Sequence, residues 1–154
     1  MLSVKSNISE MELKFSRLLN APIKLVWEVW TNPDHIKHWW GPDEVTNTIK
    51  EMNIKPGGYW RLIMHNPDGR NHEIEIEFRE VVKYKKIVYE QMNHFKCLAT
   101  VEFESMHEKT FINWTMLFES KEFLIHCAKT YGVDTGLQKT GDRLINYLSQ
   151  FKNQ

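Results

Sequence analysis

A histidine on the apolar side of an alternating strand is the first group in this chain that could do chemistry. His72 opens the run His72-Glu73-Ile74-Glu75-Ile76-Glu77-Phe78-Arg79, in which apolar and charged residues alternate. In a half-buried strand of period two, His72 shares a face with Ile74 and Ile76. Near the strand end it is either a rim residue or a hydrogen-bonding group at a pocket mouth, with a pKa sensitive to burial. Tyr89 lies in another strand-like run, and its hydroxyl needs a partner if buried. These two are the acid–base candidates. His35 and His38, three apart, could share a helix face and bind a metal, but no Cys or third histidine has matching spacing. No metal and no cofactor is expected. Cys97 has no identifiable base and is expected to point into or beside a sheet, while Glu73, Glu75 and Glu77 read as a solvated face. Phosphate-loop, Gly-x-Ser-x-Gly and His-Glu-x-x-His patterns are missing from the sequence. No catalytic residue is assigned, and binding without turnover is the favoured reading.

The composition narrows the class. The chain has 154 residues, with 20 Lys and Arg balanced by 20 Asp and Glu. That length fits one domain with a sizeable core. Zero net charge supplies no field for nucleic acid or an anionic membrane surface, and neither is expected as a partner. Met1–Met11 reads as a flexible, polar N-terminal segment without a signal-peptide apolar run, and residues 12–152 read as a single domain. No stretch approaches the roughly 18 apolar residues of a membrane helix. Two cysteines, Cys97 and Cys127, are too few for a disulfide scaffold, so a reduced, cytoplasmic protein is expected.

The positioning elements follow from periodicity. Glu12–Leu19 reads as a strand. Asn20 is placed to cap a helix with Pro22 in its first turn, carrying Ile23, Val26, Trp27 and Trp30 as a stripe. Asn32-Pro33 interrupts it, a short helix runs to about Trp39, and Gly41-Pro42 ends that one. From Val45 to Phe118 the period is two. Asn66-Pro67-Asp68-Gly69 suits a type I turn followed by a left-handed Gly bulge. The resulting register pairs Met64 with His72, Leu62 with Ile74 and Trp60 with Ile76, and sets Arg61 opposite Glu75. A two-residue loop would face Leu62 and Trp60 with glutamates, so the first register is adopted. Strands are expected at Lys86–Met92, Cys97–Glu104 and Thr110–Phe118, the last with Ile112, Trp114, Met116 and Phe118 on one side. Phe123, Ile125 and Ala128 form a short helical stretch, and Gly132 breaks it. Asp134 is placed to cap a final helix carrying Leu137, Gly141, Leu144, Leu148 and Phe151. Gly141 in mid-helix costs about 1 kcal/mol relative to Ala, and leaves room for a strand, a ring or a ligand to come close.

Five of the six tryptophans fall between Pro22 and Trp60. The motifs Ala21-Pro22…Val26-Trp27…Trp30-Thr31-Asn32-Pro33, Trp39-Trp40-Gly41-Pro42 and Lys55-Pro56-Gly57-Gly58-Tyr59-Trp60 resemble the START-like (SRPBCC) superfamily. Asp68-Gly69 and Phe78-Arg79-Glu80-Val81 continue the match, which covers roughly Glu12 to Phe151. The chain is most similar to the branch named after the C-terminal domain of the heat-shock ATPase activator. Two places depart from that branch. Gly136-Leu137 stands where it usually has Gly-Trp, which would enlarge or reshape the cavity end near Leu137, and Asn53 and Lys55 replace a frequent Asp and Arg.

The resemblance implies an α+β helix-grip fold, a curved antiparallel sheet wrapped around a long C-terminal helix with a cavity between them. In most domains an apolar set such as Trp40, Trp60, Leu62, Met64, Ile74, Ile76, Trp114 and Met116 is ordinary core. In a helix grip it becomes the expected wall of a ligand cavity, joined by Leu137 and Leu144, with Gly141 giving space and His72 and Tyr89 giving orientation. The expected partner is a small apolar, aromatic or lipid-like molecule. Two further classes stay open by the same resemblance, a cyclase- or hydrolase-type enzyme acting in the cavity and a chaperone-interacting module. Oligomeric state is not legible.

Overall fold

The computed structural model describes residues 10–151. Most of the segment read from sequence as flexible, residues 1–9 of it, lies outside that range. Among the described residues, strands β1 (Glu12–Leu19), β2 (Thr46–Met52), β3 (Tyr59–His65), β4 (Asn71–Val82), β5 (Lys86–Gln91), β6 (Cys97–Met106) and β7 (Lys109–Leu117) form one antiparallel sheet. Its order is β1-β7-β6-β5-β4-β3-β2, so the first strand closes one edge and the second the other. Helices α1 (Ile23–Thr31) and α2 (Pro33–Ile36) make the connection between those edges. Helices α3 (Lys121–Tyr131) and α4 (Val133–Ser149) end the chain. A register shift in β2 between Ile49 and Glu51, and another in β4 between Phe78 and Glu80, bend the sheet. The result is the α+β helix grip.

The β3–β4 hairpin follows from its turn. Gly69 takes φ +93°, and its N–H donates to the Asn66 carbonyl at 3.0 Å. Trp60 then faces Ile76, Leu62 faces Ile74, Met64 faces His72, and Arg61 stands opposite Glu75, as the facing chemistry requires. The Arg61 Nε donates to Glu75 at 2.9 Å on the outer, solvated side.

The helix ends differ from the sequence reading in three places. Pro22, not Asn20, is the N-cap of α1, and its carbonyl accepts from Leu25 and Val26. Proline suits this position because the cap's own N–H has no helical partner. Helix α2 is a single turn capped by the Asn32 side chain, which accepts from the Asp34 N–H at 2.9 Å. Beyond Ile36 the chain continues to Trp40 in turns rather than helix. Gly132, at φ +65°, ends α3 and also begins α4, so Asp134 is a first-turn acid facing the helix dipole rather than the cap.

The apolar stripe of α3 is also shifted. Leu124 and Cys127 are buried while Ile125 is 44 % exposed. Spacing of three puts Leu124 and Cys127 on one helix face, and Ile125 then points away from it. The Ser120 hydroxyl caps this helix by accepting from the Phe123 N–H at 2.9 Å. On α4 the buried stripe is Val133, Leu137, Gly141, Leu144 and Leu148. Phe151 falls beyond the helix end, half-buried against Tyr147 and His35.

The tryptophans fill one end of the space between sheet and helix. Trp30 meets Trp39 and Trp114 edge-on, each at 4.9 Å between ring centroids. Trp40 lies 4.7 Å from Trp60 and 5.6 Å from Trp114. Arg143 of α4 ties this end shut. Its guanidinium donates to the carbonyls of His38, Trp40 and Gly41 at 2.9, 3.2 and 2.8 Å.

Candidate functional site

Beyond the tryptophan layer the sheet and α4 stand apart, and a cavity of about 490 Å³ separates them. Met64, Ile74, Tyr89, Trp114 and Met116 form its sheet side, and Trp40 its floor. Val133, Gly136, Leu137 and Thr140 of α4 face them. These four are spaced three, one and three along the helix, one face of a 3.6-residue period. The rim is polar. Asn66, Arg70 and His72 come from the β3–β4 hairpin, and Gln91, His94 and Phe95 from the end of β5 and the loop after it. Tyr131, at the end of α3, closes over them.

Of the residues expected at a ligand site, the structure brings eight to this cavity: Trp40, Met64, His72, Ile74, Tyr89, Trp114, Met116 and Leu137. Five do not line it. Trp60, Leu62 and Ile76 share the same sheet face but lie deeper, with Trp60 stacked on Phe78 at 6.2 Å and tucked under Trp40. Leu144 is wholly buried on α4. At Gly141 the space is taken by a ring, since a Cβ there would fall 2.3 Å from Phe15 Cε1. The close approach expected at this glycine is therefore that of β1, not of a ligand.

The polar groups are few and specific. Tyr89 is 3 % exposed, and its hydroxyl accepts from the Trp114 indole N–H at 3.3 Å. Among the described residues that hydroxyl donates to nothing, so its proton is free for a bound molecule. Burial pushes its pKa well up, and the phenol stays protonated. His72 Nε2 lies 3.2 Å from Asn66 Nδ2, and with the amide donating, the neutral imidazole carries its proton on Nδ1.

His72 has a neighbour that the sequence reading missed. The His94 ring sits 4.9 Å from it and 4.5 Å from the Tyr131 ring. His94 is held at φ +70° in the β5–β6 loop. That loop is fastened to β4 through Asn93, whose side chain accepts from the Glu75 N–H and donates to the Glu73 carbonyl, both at 2.8 Å. The available signal was the β4–β5 pairing, because Gln91 opposite Ile76 carries the next residues toward the His72 end.

Burial, and secondarily the His72 imidazole, hold the His94 pKa below its ordinary value of 6.5. Around the ring stand His72 from β4, Phe95 from the same loop and Tyr131 from α3, and Arg70 of the hairpin lines the same rim. As pH falls through the ordinary value, the unfolded chain takes up a proton at this position before the folded protein does. Stability is therefore lost downward from about pH 6.5 until the folded pKa is passed. His94→Gln should lose less urea resistance than the parent between about pH 7.5 and pH 5.5. Equal losses would mean that the imidazole is freely solvated.

The remaining candidates are placed elsewhere. His35 Nδ1 is 2.7 Å from the Tyr147 hydroxyl, and the His38 ring stacks on the same tyrosine. Among the described residues no group of three or more His, Cys, Asp or Glu could hold a metal ion. Cys97 is buried, and burial pushes its thiol up to about 12, leaving no thiolate at neutral pH. No described helix is long and apolar enough to cross a membrane.

Residues 20–149, from the first helix to the last, match the family described as Activator of Hsp90 ATPase homolog 1-like protein. The chain belongs to that family. Solved structures share its fold. A protein from Arthrobacter aurescens superposes with a TM-score of 0.87 at 21 % identity, over 97 % of this chain and 92 % of its own. One from Nitrosomonas europaea gives 0.81 at 22 %, over 94 % and 98 %. One from Staphylococcus epidermidis gives 0.77 at 22 %, over 97 % and 93 %. No curated protein matches the chain.

Proposed function

We propose that this protein binds a small, mainly apolar or aromatic molecule between its sheet and α4. The observation that carries this reading is Tyr89, a buried phenol in the apolar wall of the cavity whose hydroxyl proton is unspent among the described residues. The volume of about 490 Å³ suits a small organic ligand. Each 100 Å² of apolar ligand surface removed from water contributes about 2.5 kcal/mol, against an association cost of at least about 4 kcal/mol. A single ring, burying about 200 Å², is left with only about 1 kcal/mol, so a body of two or three rings, or an equivalent chain, is favoured. Tyr89 adds a preference for a hydrogen-bond acceptor on that body.

Residues 12–152 act as one unit in this reading. Both Cys97 and Cys127 are buried and unpaired, which supports a reducing, cytoplasmic setting. The family description favours a chaperone partner as a second reading. Among the described residues the exposed Leu18 and Met106 stand at one end of the β1-β7-β6 part of the sheet and Leu98 at the other.

The test uses N-phenyl-1-naphthylamine, a neutral two-ring probe with an anilino arm. It is expected to quench emission from Trp40 and Trp114 and to raise the melting temperature. 1-Acetonaphthone should bind about tenfold more tightly than 1-ethylnaphthalene, a difference that Tyr89→Phe removes. No quenching and no thermal shift with any of the three would overturn the reading.

A further inference from the structure

The cavity carries a charge asymmetry that a purely apolar ligand would not use. Across the chain, acids and bases are equal in number. Among the residues lining the cavity, however, the ionisable side chains are Arg70, His72, His94 and two tyrosines, with no Asp or Glu. All three nitrogen bases lie at the rim, around the open end of the apolar wall.

Arg70 is held in place for a further partner. Asp68, in the same hairpin turn, accepts from the Arg70 backbone N–H at 2.9 Å and from Arg70 Nε at 2.8 Å. This pins the inner edge of the guanidinium. Among the described residues, the two terminal nitrogens of Arg70 have no hydrogen-bond acceptor. A planar fork with two free N–H-bearing ends is the group best matched to a two-oxygen anion. Its neighbours agree. The His72 imidazole, with its Nε2 engaged by Asn66, keeps an Nδ1 proton to donate, and His94 lies against it.

We infer that the ligand is an amphipathic monoanion, its apolar body against Trp40, Trp114 and Leu137 and its carboxylate or sulfonate at the rim on Arg70 and His72. This rests on the apolar-cavity reading and adds the chemistry of the ligand's outer end. A neutral ligand of the same shape would leave the guanidinium fork with water alone. A cationic one would meet Arg70 with only Asp68 to offset it.

The closing experiment compares two dyes with the same anilinonaphthalene body, N-phenyl-1-naphthylamine and its sulfonate, 8-anilinonaphthalene-1-sulfonate. Affinities are measured by fluorescence titration at pH 7 and low salt, about 50 mM. The sulfonate is expected to bind about three- to fivefold more tightly, the effect of an ion pair on a largely exposed guanidinium at low salt. Arg70→Gln should bring the ratio of the two affinities close to one. Arg70 is on an exposed turn, so the variant does not threaten the fold. If the neutral dye binds and the sulfonate is no tighter, or Arg70→Gln leaves the ratio as it was, the anion inference fails while the apolar cavity stands. If neither dye binds, the cavity reading itself fails and takes this inference with it.

Discussion

Gly141→Ala is expected to destabilise the protein by about 1–3 kcal/mol, the reverse of what a helix interior ordinarily returns. On helix propensity alone Ala gains about 1 kcal/mol over Gly. Against it stands Phe15, whose ring atoms Cε1, Cζ and Cδ1 lie 2.3, 2.4 and 2.7 Å from where the new Cβ would be. No real pair of carbons approaches so closely, so the ring or the helix must move. Neither moves easily. Phe15 is 1 % exposed, sits on β1 opposite Trp114 and meets that indole edge-on at 6.4 Å. Helix α4 is held by the three carbonyls bound to Arg143. Urea unfolding at equilibrium checks the sign. Phe15→Leu, which withdraws the ring, should recover at least about 0.5 kcal/mol of the loss in the double variant. Gly136→Ala is the internal control. A Cβ there meets nothing within 4 Å, so propensity acts alone and stability should rise by about 0.5–1 kcal/mol. If Gly141→Ala stabilised to the same degree, the helix would not be resting on Phe15.

The same residues show how far the sequence could be read. A glycine in mid-helix signals a close approach, but whether a ring or a ligand fills the gap depends on where β1 runs. Register was legible in the β3–β4 hairpin because the turn chemistry and the facing pairs constrain each other. Parity along a strand was legible too, and it placed Trp60, Leu62, Met64, Ile74 and Ile76 on one face correctly. Parity says nothing about how far that face stands from the helix at each step. Trp60, Leu62 and Ile76 are buried away from the cavity, whereas Ile74, the partner of Leu62, and Met64, one pair further along, border open space. The rim was hardest to see. His94, Phe95 and Tyr131 come from a loop and a helix end, where periodicity is silent and chain reversal decides who meets whom. His72 was recognisable from its strand, but its partner was not.

Leu137→Trp should weaken N-phenyl-1-naphthylamine binding by about tenfold or more, while stability changes by no more than about 1 kcal/mol. Leu137 points from α4 into the cavity, on the face that also carries Val133, Gly136 and Thr140. An indole there fills space that a ligand's apolar body would use, and each 100 Å² of contact withdrawn removes about 2.5 kcal/mol of burial. The indole itself need not displace protein atoms, because Leu137 borders the open volume of the cavity. The contrast is Leu144→Trp, two helical turns further on. Leu144 is wholly buried and does not line this cavity, so the same enlargement overpacks the core and should cost about 1–3 kcal/mol. Binding lost at position 137 without instability, beside instability at 144, would locate both the empty space and its occupant. Undiminished dye affinity in a well-folded Leu137→Trp variant would place the dye elsewhere. The cavity between sheet and helix would then be a packing gap rather than a site.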